Sequence, residues 1–328
     1  MHRLERHWYR ITPLTLLLWP LSVLFRGAVA LRRALYRSGL KPSVKLPVPV
    51  IVVGNISVGG TGKTPLVLWL AEFLHARGKH PGIVSRGYGS DSTAVREVRP
   101  DSDARQVGDE PLLLARRSGC PVWAGADRVA AAQALLRAHP ECDALISDDG
   151  LQHYRLQRDA ELAVVDGARR HGNGLMLPAG PLREPRCRLH HVDAVMLNGG
   201  TTQPGEHAMT LAGKTFYNLR DPARKIEAQE LHGKKLHAIA GIGHPQRFFD
   251  HLRALGLDVV AHPFPDHHAY IPADLDFADA EAILMTEKDA VKCSAWADVR
   301  CWALAVNAQL DPKLGEIIMK KLEHRNGR

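Results

Sequence analysis

The run Ser57-Val58-Gly59-Gly60-Thr61-Gly62-Lys63-Thr64 carries the densest chemistry in this chain. An apolar strand, a glycine-rich turn, Lys-Thr and then a helix form a nest of main-chain N–H groups around a polyphosphate. The lysine reaches the β- and γ-phosphates and the hydroxyl takes up Mg²⁺. Glycines are needed because a side chain would keep the backbone away from the phosphate oxygens. The strict phosphate-loop pattern has glycine where this chain has Ser57, so a plain glycine-rich turn opening a helix is the competing reading.

A second constellation is Ser147-Asp148-Asp149, at the end of an apolar run. An acid at the tip of a strand neighbouring a phosphate loop holds the Mg²⁺ that bridges the phosphates, so Thr64, Asp148 and Asp149 are the metal candidates. Gln152 and His153 follow in the same loop and would stand beside the nucleotide or the acceptor. Asp109 and Glu110 open a helix just before Pro111. Either is explained by helix capping alone, yet phosphoryl transfer to an alcohol wants a carboxylate or imidazole to take the proton, and Asp109 is a candidate. In Phe264-Pro265-Asp266-His267-His268 adjacent histidines point apart, so at most one faces a cleft. Zinc is disfavoured there for want of cysteine partners. Arg86, Arg183 and Glu184 lie in loops at strand ends, where α/β proteins place ligands. Thr286-Glu287-Lys288-Asp289 resembles a guanine-reading motif only loosely, its lysine displaced by one position.

The elements that must position these residues alternate strand and helix, which argues for a parallel sheet covered on both faces. The pattern predicts strands over 48–53, 81–85, 144–147, 162–165 and 194–197, and helices over 65–76, 109–117 and 128–138. Residues 198–210, rich in Gly, Thr and Pro, read as a linker. A second alternation follows, with strands near 236–240, 258–261, 283–285 and 301–306 and a helix over 246–254. The expected organisation is a basic apolar segment over 1–45, a nucleotide-binding α/β domain over 46–200 and a smaller α/β domain over 201–328.

Charge separates these parts. Residues 1–45 hold nine Lys/Arg and one acid, leaving 34 basic and 34 acidic residues in the remainder. The rest is therefore neutral, which argues against nucleic acid and for an anionic surface met by one end. Residues 11–25 carry no charge, and Leu14, Leu17, Leu18, Leu21, Leu24, Phe25, Ala28, Leu31 and Leu35 recur at helical spacing after a Thr12-Pro13 start. The uncharged run is shorter than the ~20 residues a bilayer span needs, and Pro20 predicts a kink. A helix in the membrane interface is the favoured reading, with a packed helix or a signal or spanning segment as alternatives. The five cysteines form no paired motif, which argues against a disulfide framework.

Taken together and in this order, 58–65, 85–89, 108–111, 148–153, 180–184, 264–268 and 286–289 resemble the tetraacyldisaccharide 4'-kinase family of Gram-negative lipid A synthesis. The resemblance implies a phosphate-loop α/β fold and transfer of the ATP γ-phosphate, with Mg²⁺, to the 4'-hydroxyl of an acylated disaccharide phosphate. It implies Lys63 on the phosphates, and Asp109 with a histidine from the second domain activating the hydroxyl. That histidine is carried onto His267, with His268 as the alternate. It also implies a peripheral or monotopic place on the cytoplasmic face of the inner membrane. His244 departs from the Asn or Arg expected there. The rival readings are a membrane-associated regulatory NTPase and a GTPase-like binding module.

Overall fold

The computed structural model describes residues 7–91, 93–311 and 313–326. Arg3, Glu5 and Arg6, counted above in the basic segment, lie outside the described residues. The chain opens with helix α1 (Pro13–Arg37), started by Thr12, whose side chain accepts from the Thr15 N–H in a reciprocal cap. The helix runs without interruption through Pro20 and past the charge at Arg26. At 25 residues it is long and apolar enough to cross a membrane by length and composition, more than the uncharged run alone implied.

Strand β1 (Val50–Gly54), helix α2 (Lys63–His75), β2 (Pro81–Ser85) and β3 (Arg96–Val98) follow. Next come α3 (Ala104–Val107), α4 (Asp109–Arg117), β4 (Val122–Ala124), α5 (Arg128–Ala138), β5 (Ala144–Asp148), β6 (Ala160–Asp166), β7 (Ala194–Asn198) and β8 (Glu206–Ala212). β1 lies between β5 and β6, parallel to both, with Val53 beside Asp148. Its residues alternate between two buried faces. Ile51 and Val53 pack with Leu66, Leu70 and Leu112 under α2 and α4, while Val50 and Val52 pack with Val129 and Leu135 under α5. A strand apolar at every position is what a sheet covered on both sides requires.

The second sheet is formed by β9 (Thr215–Asn218), β10 (Lys225–Glu227), β11 (Leu236–Ala240), β12 (Val259–Pro263), β13 (Ala282–Thr286) and β14 (Cys301–Leu304). Its order is β10-β9-β14-β13-β11-β12, with β12, β11, β13 and β14 parallel. Helix α6 (Pro245–Ala254) covers one face through Phe248, Phe249 and Leu252, and α7 (Glu287–Cys293) covers the other through Ala290 and Cys293.

The first sheet does not end at the break drawn after residue 200. β8 falls partly within the expected linker and pairs parallel with β7, and β15 (Asn307–Leu310) returns from the second sheet to pair antiparallel with β8. Helix α8 (Lys313–Asn326) then seats Leu314, Ile318 and Leu322 in the same core as Leu70. The second sheet is thus an insertion between β8 and β15. The pairing of β8 was hidden because three flanking glycines and two threonines read as linker, while only Met209 in it is fully buried.

Candidate active site

The phosphate loop leaves the tip of β1. Ser57 is extended and bridged to Leu182, with the Val58 N–H donating to the Pro181 carbonyl at 2.8 Å and the Arg183 N–H to that of Ile56 at 2.7 Å. An extended residue needs no positive φ, which is why serine serves where the strict pattern has glycine. Gly59 and Gly62 do take positive φ, +99° and +94°. A Cβ on Gly62 would stand 2.3 Å from Asn198 Nδ2. That amide donates to the Thr61 carbonyl at 2.9 Å and accepts from Arg247 Nη2 of α6 at 2.8 Å. Arg169, braced on Asp166, donates to the Gly60 carbonyl. With carbonyls thus held from outside, the N–H groups of Gly59, Gly60, Thr61 and Gly62 donate to no main-chain carbonyl among the described residues. They are the donors an anion would need.

Lys63 Nζ lies 3.4 Å from Asp149 Oδ1, and Arg183 Nη1 lies 3.1 Å from Asp149 Oδ2. Burial pushes the Asp149 carboxyl up, but Lys63 and Arg183 hold it well below the usual carboxylate range. Asp148 is different. It is fully buried, one oxygen accepts from Ser85 Oγ at 3.2 Å, and Oδ1 has no partner among the described residues. Burial, followed by the nearby Glu110 charge, raises this carboxyl to about 7. An orphaned buried carboxylate oxygen beside a hydroxyl-bearing loop is an oxygen-donor set suited to Mg²⁺, whose remaining ligands come from phosphates and water. Thr64, half-buried in the first turn of α2, is the loop hydroxyl available to that set.

Opposite the phosphate loop stands Asp109, the first residue of α4 and 5% exposed. Its Oδ1 accepts the Glu110 N–H at 2.9 Å, a helix-end contact, but its Oδ2 lies 3.0 Å from His267 Nδ1. His267 comes from the loop after β12 with φ +59°, its ring 5.0 Å from that of Tyr88. The hydrogen bond to Asp109 raises the His267 imidazole above its ordinary range, against burial and the nearby Lys288. Burial acts to raise Asp109, yet His267 and Lys288 hold it below its ordinary value. His268 turns the other way, to Asp274 at 2.9 Å and the Phe264 ring.

The remaining sequence candidates divide. Glu110 faces Lys288 at 3.2 Å, and Arg86 is exposed beyond β2. Gln152 donates to the Asn55 carbonyl at 3.0 Å, bracing the entry to the phosphate loop. The His153 imidazole is pushed down to about 4, chiefly by burial, and so is neutral. Glu184 is buried against Tyr154 and Arg188, away from Asp109, where it supports the loop that zips onto 56–58. Sequence reasoning passed over Asn198, Arg247 and Lys288. The first two carry no local signal, since only the return of α6 toward β7 brings them together.

Thr286-Glu287-Lys288-Asp289 proves to be a helix cap. Thr286 accepts from the Asp289 N–H, and the Asp289 carboxylate accepts from the Gly241 N–H at 3.2 Å. The loop so fixed brings Gly243 against Gly60 of the phosphate loop, a Cβ there lying 3.3 Å from Gly60 N.

A family profile described as Tetraacyldisaccharide-1-P 4'-kinase matches residues 14–323. The chain belongs to this family. The tetraacyldisaccharide 4'-kinase of Azoarcus sp. (strain BH72) is 57% identical, with 97% of this chain and 95% of that protein covered. That of Methylobacillus flagellatus is 52% identical, with the same coverage of 97% and 95%. The crystal structure of the Aquifex aeolicus LpxK in complex with ATP is similar at a TM-score of 0.79 and 30% identity, covering 94% of this chain and 99% of that one. Membership in the kinase family sets aside the regulatory-NTPase and guanine-binding readings.

Gly62→Ala is expected to strain a left-handed residue by about 1–3 kcal/mol and to displace Asn198. ATP binding by calorimetry should weaken at least tenfold, whereas Gly27→Ala, where a Cβ meets nothing within 4 Å, should leave it unchanged.

Proposed function

We propose that the chain transfers the γ-phosphoryl group of ATP to the 4'-hydroxyl of tetraacyldisaccharide 1-phosphate through the residues described above. The observation that carries this reading is the approach of two pairs, Lys63–Asp149 at 3.4 Å and Asp109–His267 at 3.0 Å. Glu110, beside Asp109, acts on Asp148, beside Asp149, and Gly243 lies between Gly60 of the phosphate loop and Asp266, beside His267. The first pair belongs to the donor side and the second to the acceptor side.

The open N–H groups of the glycine loop cradle the phosphate tail, and Lys63 leaves Asp149 to offset charge on the transferred group. Thr64, Asp148 and Asp149 would hold Mg²⁺, which supplies charge neutralisation on the β- and γ-oxygens when bound. The Asp109–His267 pair accepts the proton of the 4'-hydroxyl as its oxygen attacks phosphorus, the bond to the ADP oxygen breaks, and ADP leaves. Contact of Gly243 with Gly60 closes the insertion over the loop and keeps water from competing as acceptor. The sheets act as donor and acceptor lobes, with Arg86 and Glu110 at the acceptor side.

Helix α1 supplies the surface on which an acylated sugar presents its headgroup. A packed soluble helix buries its apolar stripe. This one buries Thr15 and Ser22, at 1% and 4% exposure, and leaves Leu17 and Leu24 at 73% and 70%. Ser22 Oγ donates to the Met176 carbonyl at 2.7 Å and accepts from the Ala179 N–H, so polar contacts pin the docked side, with Phe25 and Val29 packed beside them. An outward leucine face with Arg26, Arg32, Arg33 and Arg37 fits an anionic membrane interface, here the cytoplasmic face of the inner membrane.

Asp109→Asn is expected to lower kcat on the order of 100-fold while the ATP KM stays within about twofold, since it removes the proton acceptor and not a phosphate contact. Because His267 is raised, the acidic limb of the wild-type kcat profile should lie above about 6.5, activity falling as the pair gains its second proton. A limb below that value, or an unchanged Asp109→Asn rate, refutes the assignment. Replacing Leu17 and Leu24 together by Glu should reduce sedimentation with anionic vesicles, and equal binding would remove the anchor.

A further inference from the structure

Lys288 is a half-buried cation in an unfavourable place. It is the second residue of α7, where the positive end of the helix disfavours an ammonium. Burial lowers its proton affinity as well, yet Glu110, Asp109 and Asp266 together raise it above the ordinary lysine value. Its Nζ lies 3.2 Å from Glu110 Oε1, 3.7 Å from Asp266 Oδ1 and 4.0 Å from Asp109 Oδ2. The fourth neighbour is His267 Nε2, at 3.4 Å.

A lysine ammonium has donors and no acceptor. The nitrogen it faces must therefore present a lone pair, which leaves the ring proton on Nδ1, 3.0 Å from Asp109 Oδ2. We propose that Lys288 is a positioning residue that holds His267 as the neutral Nδ1–H tautomer against Asp109, keeping that pair free to accept the proton of the attacking hydroxyl. This rests on the assignment of Asp109 and His267 given above.

The charges facing His267 act in opposition. Asp109 from α4 and Asp266 from its own loop draw the ring toward imidazolium, Lys288 from α7 draws it back, and Tyr88 supplies an uncharged face. Glu110 from α4 and Lys292 from α7 complete the surroundings, Glu110 holding Lys288 and Lys292 acting on Asp109. Without Lys288, the two carboxylates would retain a second proton on the pair, and a doubly protonated pair accepts nothing. Lys288 also joins the lobes, since Glu110 belongs to the nucleotide-binding sheet and Lys288 to the insertion. Asp109 and Glu110 thus hold His267 and Lys288 from the other lobe.

The test compares full-length wild type, Lys288→Met and Lys288→Arg over pH 5–9, with ATP and tetraacyl disaccharide 1-phosphate in detergent micelles. Lys288→Met is expected to lower kcat at least about tenfold at neutral pH with the ATP KM within about twofold. Its acidic limb should move upward by about one pH unit, because losing a nearby positive charge raises the proton affinity of the pair. Lys288→Arg should keep the limb in place. A fall in kcat with an unmoved limb, or no fall at all, overturns the inference. Asp109→Asn and His267→Gln run in parallel. If these keep the wild-type rate, the assignment of the pair fails and the Lys288 role with it. If they are slow while Lys288→Met leaves the limb unmoved, only the Lys288 role fails. Should Lys288→Met not fold, ¹⁵N-histidine spectra of the wild type decide. At a pH above the acidic limb, Nε2 of His267 should resonate as an unprotonated nitrogen, and a protonated Nε2 there overturns the inference.

Discussion

Val53 and Asp148 stand side by side on adjacent parallel strands, and from each the chain turns out of the sheet at the same end. The glycine loop follows one strand and the paired aspartates end the other. Parallel pairing holds both tips at strand separation, so Lys63 meets Asp149, which Arg183 holds from its other oxygen. The burial of Asp148 is the cost of this arrangement. A carboxylate with one oxygen unpartnered among the described residues is unfavourable, and the proposed cation and phosphate tail would complete its surroundings.

The acceptor side is assembled by different means. Asp109 and Glu110 belong to a helix of the first sheet, whereas His267 and Lys288 come from the insertion. Each pair touches the other between the lobes, so the proposed proton-accepting pair is a contact between lobes. The same division appears at the phosphate loop, where Arg247 of the insertion reaches Thr61 through Asn198. On the proposed assignment, the donor and acceptor sides are complete only with the lobes in contact, which suits an enzyme that must deny its phosphate to water.

The legibility of these parts in the sequence follows from how local they are. Helices over 109–117 and 128–138 and the strand at 81–85 match their sequence-based limits, because cap, apolar period and stop all lie within the segment. The phosphate loop and the aspartate pair were readable for the same reason, and Thr12-Pro13 marked the start of α1. What was not readable is relational. The choice between His267 and His268 turns on a positive φ and on which ring meets Asp109 from another lobe. Lys288 gave one clue that went unused, a cation in the first turn of a helix, where the dipole disfavours it. β8 and β15 carry few buried side chains, so no pattern announced that the chain would return to its first sheet.

That return bears on biosynthesis. The strand at 307–310 and the helix after it follow the insertion in the chain, yet they finish the edge and one core of the nucleotide-binding sheet. Gly315 lies so near Phe73 that a Cβ would come within 2.3 Å of its ring, so the last helix seals the back of the helix that carries Lys63. On a ribosome, the insertion can fold before the sheet that hosts it is complete. The phosphate-binding half is therefore complete only once residues 307–326 have joined it.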